Sequence, residues 1–160
     1  EICKKALFLL PEDLDGKFTG VSRFWGIDAN ALKAELDVSY RYGTKLEASA
    51  KVGYHRWKTA DGGETISYNR PQWEGGANIR YMPVRPFVLE AGYEFAAGRE
   101  YSNLGKLSDI HLVHLKASYA FTSWFSLYGL TDNVLNRKYD ILYGMPAQGI
   151  NFMFGVDLKF

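Results

Sequence analysis

The last twelve residues, Gly149 to Phe160, read GINFMFGVDLKF. Ile150, Phe152, Phe154, Val156, Leu158 and Phe160 are apolar, and the residues between them are small, polar or charged except Met153. A period of two is the signature of an extended strand with one oily face and one wet face. A strand of this length is close to the roughly 9–11 residues that a tilted strand needs to cross a bilayer. The same alternation recurs upstream. In Ala31 to Tyr42, Leu32, Ala34, Leu36, Val38, Tyr40 and Tyr42 form one face, and Lys33, Glu35, Asp37, Ser39 and Arg41 the other. A helix would scatter those charges around its whole surface. The chain is therefore expected to be all-β, built of antiparallel strands.

Taken in order, Ala6 to Leu10 are apolar without a period that separates strand from helix. Pro11 to Gly16 reads as a turn, Lys17 to Trp25 as a strand, and Gly26 to Asn30 as its close. After Ala31–Tyr42, Gly43-Thr44 is a hairpin turn, and Lys45 to Trp57 returns. Further strands are expected over Gln72 to Tyr81, Phe87 to Phe95, Asp109 to Phe121, Phe125 to Asn136 and the final stretch. Connections alternate in length. Tight ones lie at 43–44, 82–86 and 122–124, and long polar ones at 58–71, 96–108 and 137–148. Aromatic residues gather at both ends of the oily faces, with Tyr42, Tyr81, Tyr119 and Trp124 at the tight-turn end and Tyr54, Trp57, Trp73 and Phe95 at the other. Short turns on one side, long loops on the other and two aromatic girdles are the pattern of an outer-membrane barrel. A soluble antiparallel sheet also alternates, with its oily face inward. Long strands, charge along the wet faces and girdles at both ends favour lipid.

Composition narrows the function classes. With 19 Lys and Arg against 18 Asp and Glu, the net charge of +1 gives no electrostatic case for nucleic acid. No apolar run is long enough for a transmembrane helix. The single cysteine, Cys3, forms no internal disulfide. No catalytic constellation is visible, so no enzyme is expected, and no cofactor. His111 and His114 are three apart, on opposite faces of a strand, and do not hold one ion together.

The wet faces offer lumen-lining residues: Lys33, Glu35, Arg41, Glu47, Lys51, Arg80, Glu90, Glu94 and Lys116. Cross-strand charge pairing is the plainer role for most of them. The long loops and rim offer ligand-binding candidates that combine aromatic surface with positive charge. These are Trp57, Tyr68, Arg70, Trp73, Arg99, Tyr101 and Tyr143, a set suited to bulky or anionic solutes. Interface anchoring is the plainer role for half or more.

The C-terminal third resembles the end of a TonB-dependent outer-membrane receptor. Asn133, Asn136 and Tyr139 match that family's penultimate-strand pattern. Gly144, Pro146 and Gly149 match the loop that follows, which departs at Ile150 where the family carries Arg. Ala34 to Tyr40 resembles an upstream strand of the family, with Ala34 in place of Gly. The resemblance implies a barrel of about 22 strands with a plugged lumen. Residues 1–160 would supply about eight or nine C-terminal strands, with the plug and earlier strands outside this stretch. It further implies a bacterial outer-membrane location and active uptake of a scarce bulky nutrient such as a siderophore, haem, cobalamin or glycan. The implied partners are outer-membrane lipid, TonB acting through the plug, and the barrel-assembly machinery reading the terminal Phe160. The alternative is a small closed barrel of about eight strands with a structural or adhesive role.

Overall fold

A computed structural model describes residues 2–14, 17–59, 65–66, 70–100 and 105–159. These form β1 (Ile2–Leu14), β2 (Lys17–Tyr42), β3 (Leu46–Thr59), β4 (Thr65–Ile66), β5 (Trp73–Tyr81), β6 (Phe87–Ala97), β7 (Ile110–Ala120), β8 (Phe125–Asp132), β9 (Asp140–Leu142), β10 (Met145–Pro146) and β11 (Asn151–Leu158). One antiparallel sheet runs in the order β1-β2-β3-β5-β6-β7-β8-β11, with β4 paired to β3 and β9 to β10. The fold is thus an all-β meander in which each main strand pairs with the next. Among the described residues β1 and β11 are the outer members of that order rather than partners of each other. The small closed barrel would require them to pair.

Register follows from the alternation. Leu36 lies opposite Val52, and Asp37 opposite Lys51. Val52 lies opposite Gly75, Gly75 opposite Phe95, and Leu115 opposite Thr131. A slip of one residue would send every side chain of a strand to the wrong face. Strands β5, β6 and β7 have 9, 11 and 11 residues, roughly 30–36 Å at 3.3 Å each. Tilted, that matches a hydrocarbon layer of about 30 Å.

The apolar face is open. Leu36 is 61% exposed, Tyr42 66% and Phe154 82%, and among the described residues Leu107 is the only buried hydrophobic side chain. A soluble sandwich or barrel would hide this face in a core. The charged residues line a groove on one side of the sheet, and the oily residues alternate to the other. Among the described residues no helix is long and apolar enough to cross a membrane.

Several boundaries differ from the sequence expectation. The segments 17–25 and 31–42 are one continuous strand of 26 residues. Gly26, Ile27 and Ala29 stay in the ladder, opposite Leu7, Ala6 and Cys3, so pairing overrides the turn tendency of Gly, Asp and Asn. Of the turn expected at 11–16, residues 11–14 belong to β1 instead, with Leu14 opposite Lys17, and 15–16 lie outside the described residues. Pro11 is tolerated at a register shift on the outer strand. The loop from 58 to 71 contains the Trp57–Ile66 and Lys58–Thr65 pairs. The loop from 96 to 108 is pinched by a Glu100–Lys106 bridge. Strand β8 stops at Asp132 rather than Asn136, because Asn133 and Asn136 adopt positive φ of 50° and 47°, a conformation strands do not sustain.

Candidate functional site

The wet face is organised in rows that cross the strands. Nearest the tight turns, Arg41 lies opposite Glu47, Glu47 opposite Arg80, Arg80 opposite Glu90, and Glu90 opposite Lys116. The charges alternate along five strands. Arg41 Nε to Glu47 Oε1 is 3.1 Å, Arg80 Nη1 to Glu47 Oε2 3.8 Å, Arg80 Nε to Glu90 Oε1 3.3 Å, and Lys116 Nζ to Glu90 Oε2 3.4 Å. Lys116 also stands 5.8 Å from the centre of the Tyr128 ring. Each such pair is half exposed and contributes about 0–1 kcal/mol. Its larger effect is on register, since a two-residue slip of any strand separates the charges on both sides.

One step toward the long loops the row is uncharged and small: Ser39, Ser49, Asn78 and Gly92 in succession. It ends at His114, whose Nδ1 is 3.0 Å from Asp132 Oδ1 and whose Nε2 is 3.8 Å from Glu94 Oε2. Gly92 makes the room, because a Cβ there would sit 3.0 Å from Asn78 Oδ1. A groove of about 920 Å³ runs along these two rows. A second groove of about 770 Å³ continues toward the loops, past Asp37, Lys51, Glu74 and Glu94, beneath Tyr139. At its rim Lys33 pairs with Glu35 at 2.8 Å, and His55 Nε2 lies 3.1 Å from Glu74 Oε1. The carboxylates Glu74, Glu94 and Asp132 thus meet imidazoles rather than Lys or Arg among the described ion pairs. All nine lumen-side residues named from the sequence lie on this one face.

The rim and loop residues are dispersed. Trp57 carries the Arg70 guanidinium 4.8 Å from its ring centre. Trp73 belongs to the opposite face. It packs on Tyr54 with ring centres 4.8 Å apart and is 47% exposed. Parity along β5 sends it outward with Gly75 and Ala77, so it does not join Trp57 as a ligand platform. Tyr143 is half-buried in the β9–β10 turn. Tyr68, Tyr101 and Phe160 lie outside the described residues.

Arg99 also departs from the expectation of a solute-facing cation. It is only 4% exposed. Its Nη2 donates to the carbonyls of Asp140 and Ile141 at 2.9 and 2.8 Å, and Nη1 to that of Ser108 at 3.4 Å. Burial pushes the guanidinium pKa below its ordinary value, and the nearby Asp140 carboxylate opposes that shift. Leu107, also buried, donates its N–H to the Arg99 carbonyl. The 96–108 loop is therefore fastened to the 137–148 loop as one pad.

The motif asparagines serve the same pad. Asn133, 4% exposed, donates Nδ2 to the Arg137 and Gln148 carbonyls at 2.9 and 3.3 Å, while its Oδ1 accepts from Arg137 N–H at 2.9 Å. Asn136 Oδ1 accepts from Ile150 N–H at 3.1 Å. Gly149 is needed there, because a Cβ would come within 2.7 Å of Asn136 Oδ1. A cavity of about 490 Å³ opens on the pad, lined by Ser108, Lys138, Tyr139 and Asp140 among others. Sequence reasoning passed over His114 and Asp132 as a wet-face pair. Alternation along 109–121 sets His114 on the wet face, but the alternation of 125–136 is poor and does not place Asp132, and only the β7–β8 register joins the two.

His111 faces outward, sharing a 2.8 Å hydrogen bond with Tyr93 Oη. Among the described residues no group of three or more metal-ligating side chains is gathered.

No protein-family model matches the sequence, and no curated protein matches it. Solved structures do match. The copper transporter OprC aligns with a TM-score of 0.74 at 16% identity, over 99% of this chain and 27% of that one. The pyoverdine outer membrane receptor FpvA from Pseudomonas aeruginosa PAO1, bound to pyoverdine, aligns at 0.70 and 16% identity, over 98% of this chain and 26% of that one. The FpvAI–pyocin S2 complex aligns at 0.72 and 18% identity, over 87% of this chain and 20% of that one. The chain spans between a fifth and about a quarter of the length of these proteins, and it shares their β-sheet fold.

Proposed function

We propose that these strands are the C-terminal barrel portion of a TonB-dependent receptor in the bacterial outer membrane. Its work is active uptake of a bulky, scarce nutrient. The observation that carries the reading is the division of one sheet into an exposed apolar face and a charged, groove-bearing face. Lipid on one side and an aqueous lumen on the other suit that division. The similar structures, a copper transporter and pyoverdine receptors, support uptake of a small solute. The motif residues support the family reading, Asn133 and Asn136 through the hydrogen bonds they make and Gly149 through the room it leaves for the Asn136 amide.

In this reading the loop pad and rim capture the solute outside, and the wet-face grooves line its path. TonB acts through a plug that belongs to the longer protein. The barrel-assembly machinery reads Phe160. The solute meets Trp57 and Arg70 at the rim and then a stretch where Glu74, Glu94 and Asp132 lie beside His55 and His114. Siderophore, haem, cobalamin and glycan are the substrate classes to screen.

The test is growth of a strain carrying the full-length protein on each such nutrient as the limiting source, with and without functional TonB. TonB-dependent growth on one of them supports the reading. Equal growth in both strains on every nutrient contradicts it.

A further inference from the structure

From β2 to β8, each pairing of neighbouring main strands is crossed by an ion pair or an imidazole–carboxylate pair. Arg41–Glu47 spans β2–β3, Glu47–Arg80 spans β3–β5, and Arg80–Glu90 spans β5–β6. Glu90–Lys116 spans β6–β7, and His114–Asp132 spans β7–β8. None of the described pairs crosses β8–β11. Two glycines under two aromatic rings stand there instead. Tyr128 lies opposite Gly155, and Gly129 opposite Phe154, so the two joints occupy successive rungs and run in opposite senses. On the wet face the Tyr128 ring covers Gly155, where any Cβ would overlap its Cζ and hydroxyl. On the oily face the Phe154 ring lies against Gly129, where a Cβ would meet it at 3.1 Å.

We propose that these two joints are a clamp that sets the register of β11, in place of the charge pairs used across the rest of the sheet, and that Tyr128 and Phe154 thereby position the loop pad. A glycine opposite an aromatic residue gives the ring bare backbone to lie on, and any side chain in its place removes the fit. A slip of one residue would turn β11 over and is rejected by its two faces. A slip of two keeps every residue on its own face, so it is the error a clamp must reject. Slipped one way, Phe152 replaces Phe154 over Gly129, but Tyr128 then stands opposite Met153. Slipped the other way, Phe154 stands opposite Thr131 and Tyr128 opposite Asp157. The outward joint alone would accept Phe152, and the inward joint removes that alternative. The register matters beyond the strands. Asn151 pairs with Asp132, and beside it Ile150 N–H donates to Asn136 Oδ1. A two-residue slip would carry Ile150 about 7 Å along the strand from Asn136 and unseat the 137–148 loop.

The experiment is disulfide cross-linking of the purified full-length protein, with Cys3 replaced by serine. Cysteine pairs at Ser126 and Asp157 report the observed register. Pairs at Leu130 and Asn151, and at Ser126 and Lys159, report the two slipped ones. With both joints intact, only the first pair is expected to cross-link. Tyr128→Ala is expected to lower the ratio of native to slipped cross-link about tenfold, the effect of about 1.4 kcal/mol, and to raise hydrogen exchange in 137–148. Tyr128→Phe, which keeps the ring, should leave both readouts as they were. The reciprocal swap, Tyr128→Gly with Gly155→Tyr, should restore them. A native cross-link undiminished in Tyr128→Ala overturns the clamp, as does a loss in Tyr128→Phe as large as in Tyr128→Ala. Should Tyr128→Ala not fold, the swap decides. A folded swap variant cross-linked at 126 and 157 supports the clamp, and a swap variant that also fails to fold overturns it.

Discussion

Arg99 Nη2 lies 2.8 Å from the carbonyl oxygen of Ile141, 42 residues along the chain. With its bonds to Asp140 and Ser108 it ties two long loops together over a sheet that has almost no core of its own. Arg99→Ala removes these bonds and leaves the carbonyls of the pad without their donor. The expected local loss is about 3 kcal/mol. Hydrogen exchange checks it. Protection should fall together in 96–108 and 137–148 and stay unchanged in β5 and β6. Arg99→Lys should restore little, because an ammonium does not span three carbonyls as the guanidinium fork does. Loss confined to 96–108 would mean that the loops are independent.

Asn136 and Gly149 act as a lock-and-seat pair. Gly149→Ala should displace the Asn136 amide and break its bond to Ile150 N–H, loosening the entry to β11 by about 1–2 kcal/mol. Asn136→Ala should cost a similar amount, since it also loses a side chain that tolerates positive φ. The double variant should cost little more than either alone. Additive losses in denaturant unfolding would show that the two sites are uncoupled.

Among the lumen charges, Glu90 joins Arg80 and Lys116. Glu90→Gln and Lys116→Gln, taken through a double-mutant cycle, should show a coupling of about 0.5 kcal/mol. The coupling should vanish in about 1 M salt, where the screening length is about 3 Å. Coupling that persists at that salt would mean the pair is shielded from water, contrary to an open lumen.

How much of this was legible in the chain varies with the range of the interaction. The β2–β3 hairpin can be read residue by residue, because alternation, a Gly turn and paired charges all agree locally. Gly26 to Asn30 misleads, because its turn chemistry is local while the ladder to β1 that overrules it spans the hairpin. Trp73 had its answer in its parity: it alternates with the oily residues of β5, and an aromatic near a loop is not thereby a ligand platform. Arg99 was beyond sequence reach. Its burial depends on carbonyls more than 40 residues away, and a loop arginine carries no local mark of it.

Val38 and Ser39 are neighbours on opposite faces of β2. Val38 is 57% exposed, which on a soluble protein would make it permissive. Val38→Arg should instead cost about 2–4 kcal/mol in lipid, and Ser39→Arg close to nothing. Unfolding from liposomes measures both, and equal tolerance would count against lipid at Val38.

The central claim is that the even-numbered face of β2 touches hydrocarbon and the odd-numbered face touches water. A direct test replaces Cys3 with Ser in the full-length protein and introduces single cysteines at each position from Leu32 to Tyr42. Spin labels there are then probed, in bilayers, with oxygen and with a water-soluble nickel complex. The account predicts a strict period of two, with oxygen access at Leu32, Ala34, Leu36, Val38 and Tyr40 and nickel access at Lys33, Glu35, Asp37 and Ser39. The opposite phase, or even positions shielded from both probes, would contradict it and return the chain to a soluble sheet with its oily face packed inside.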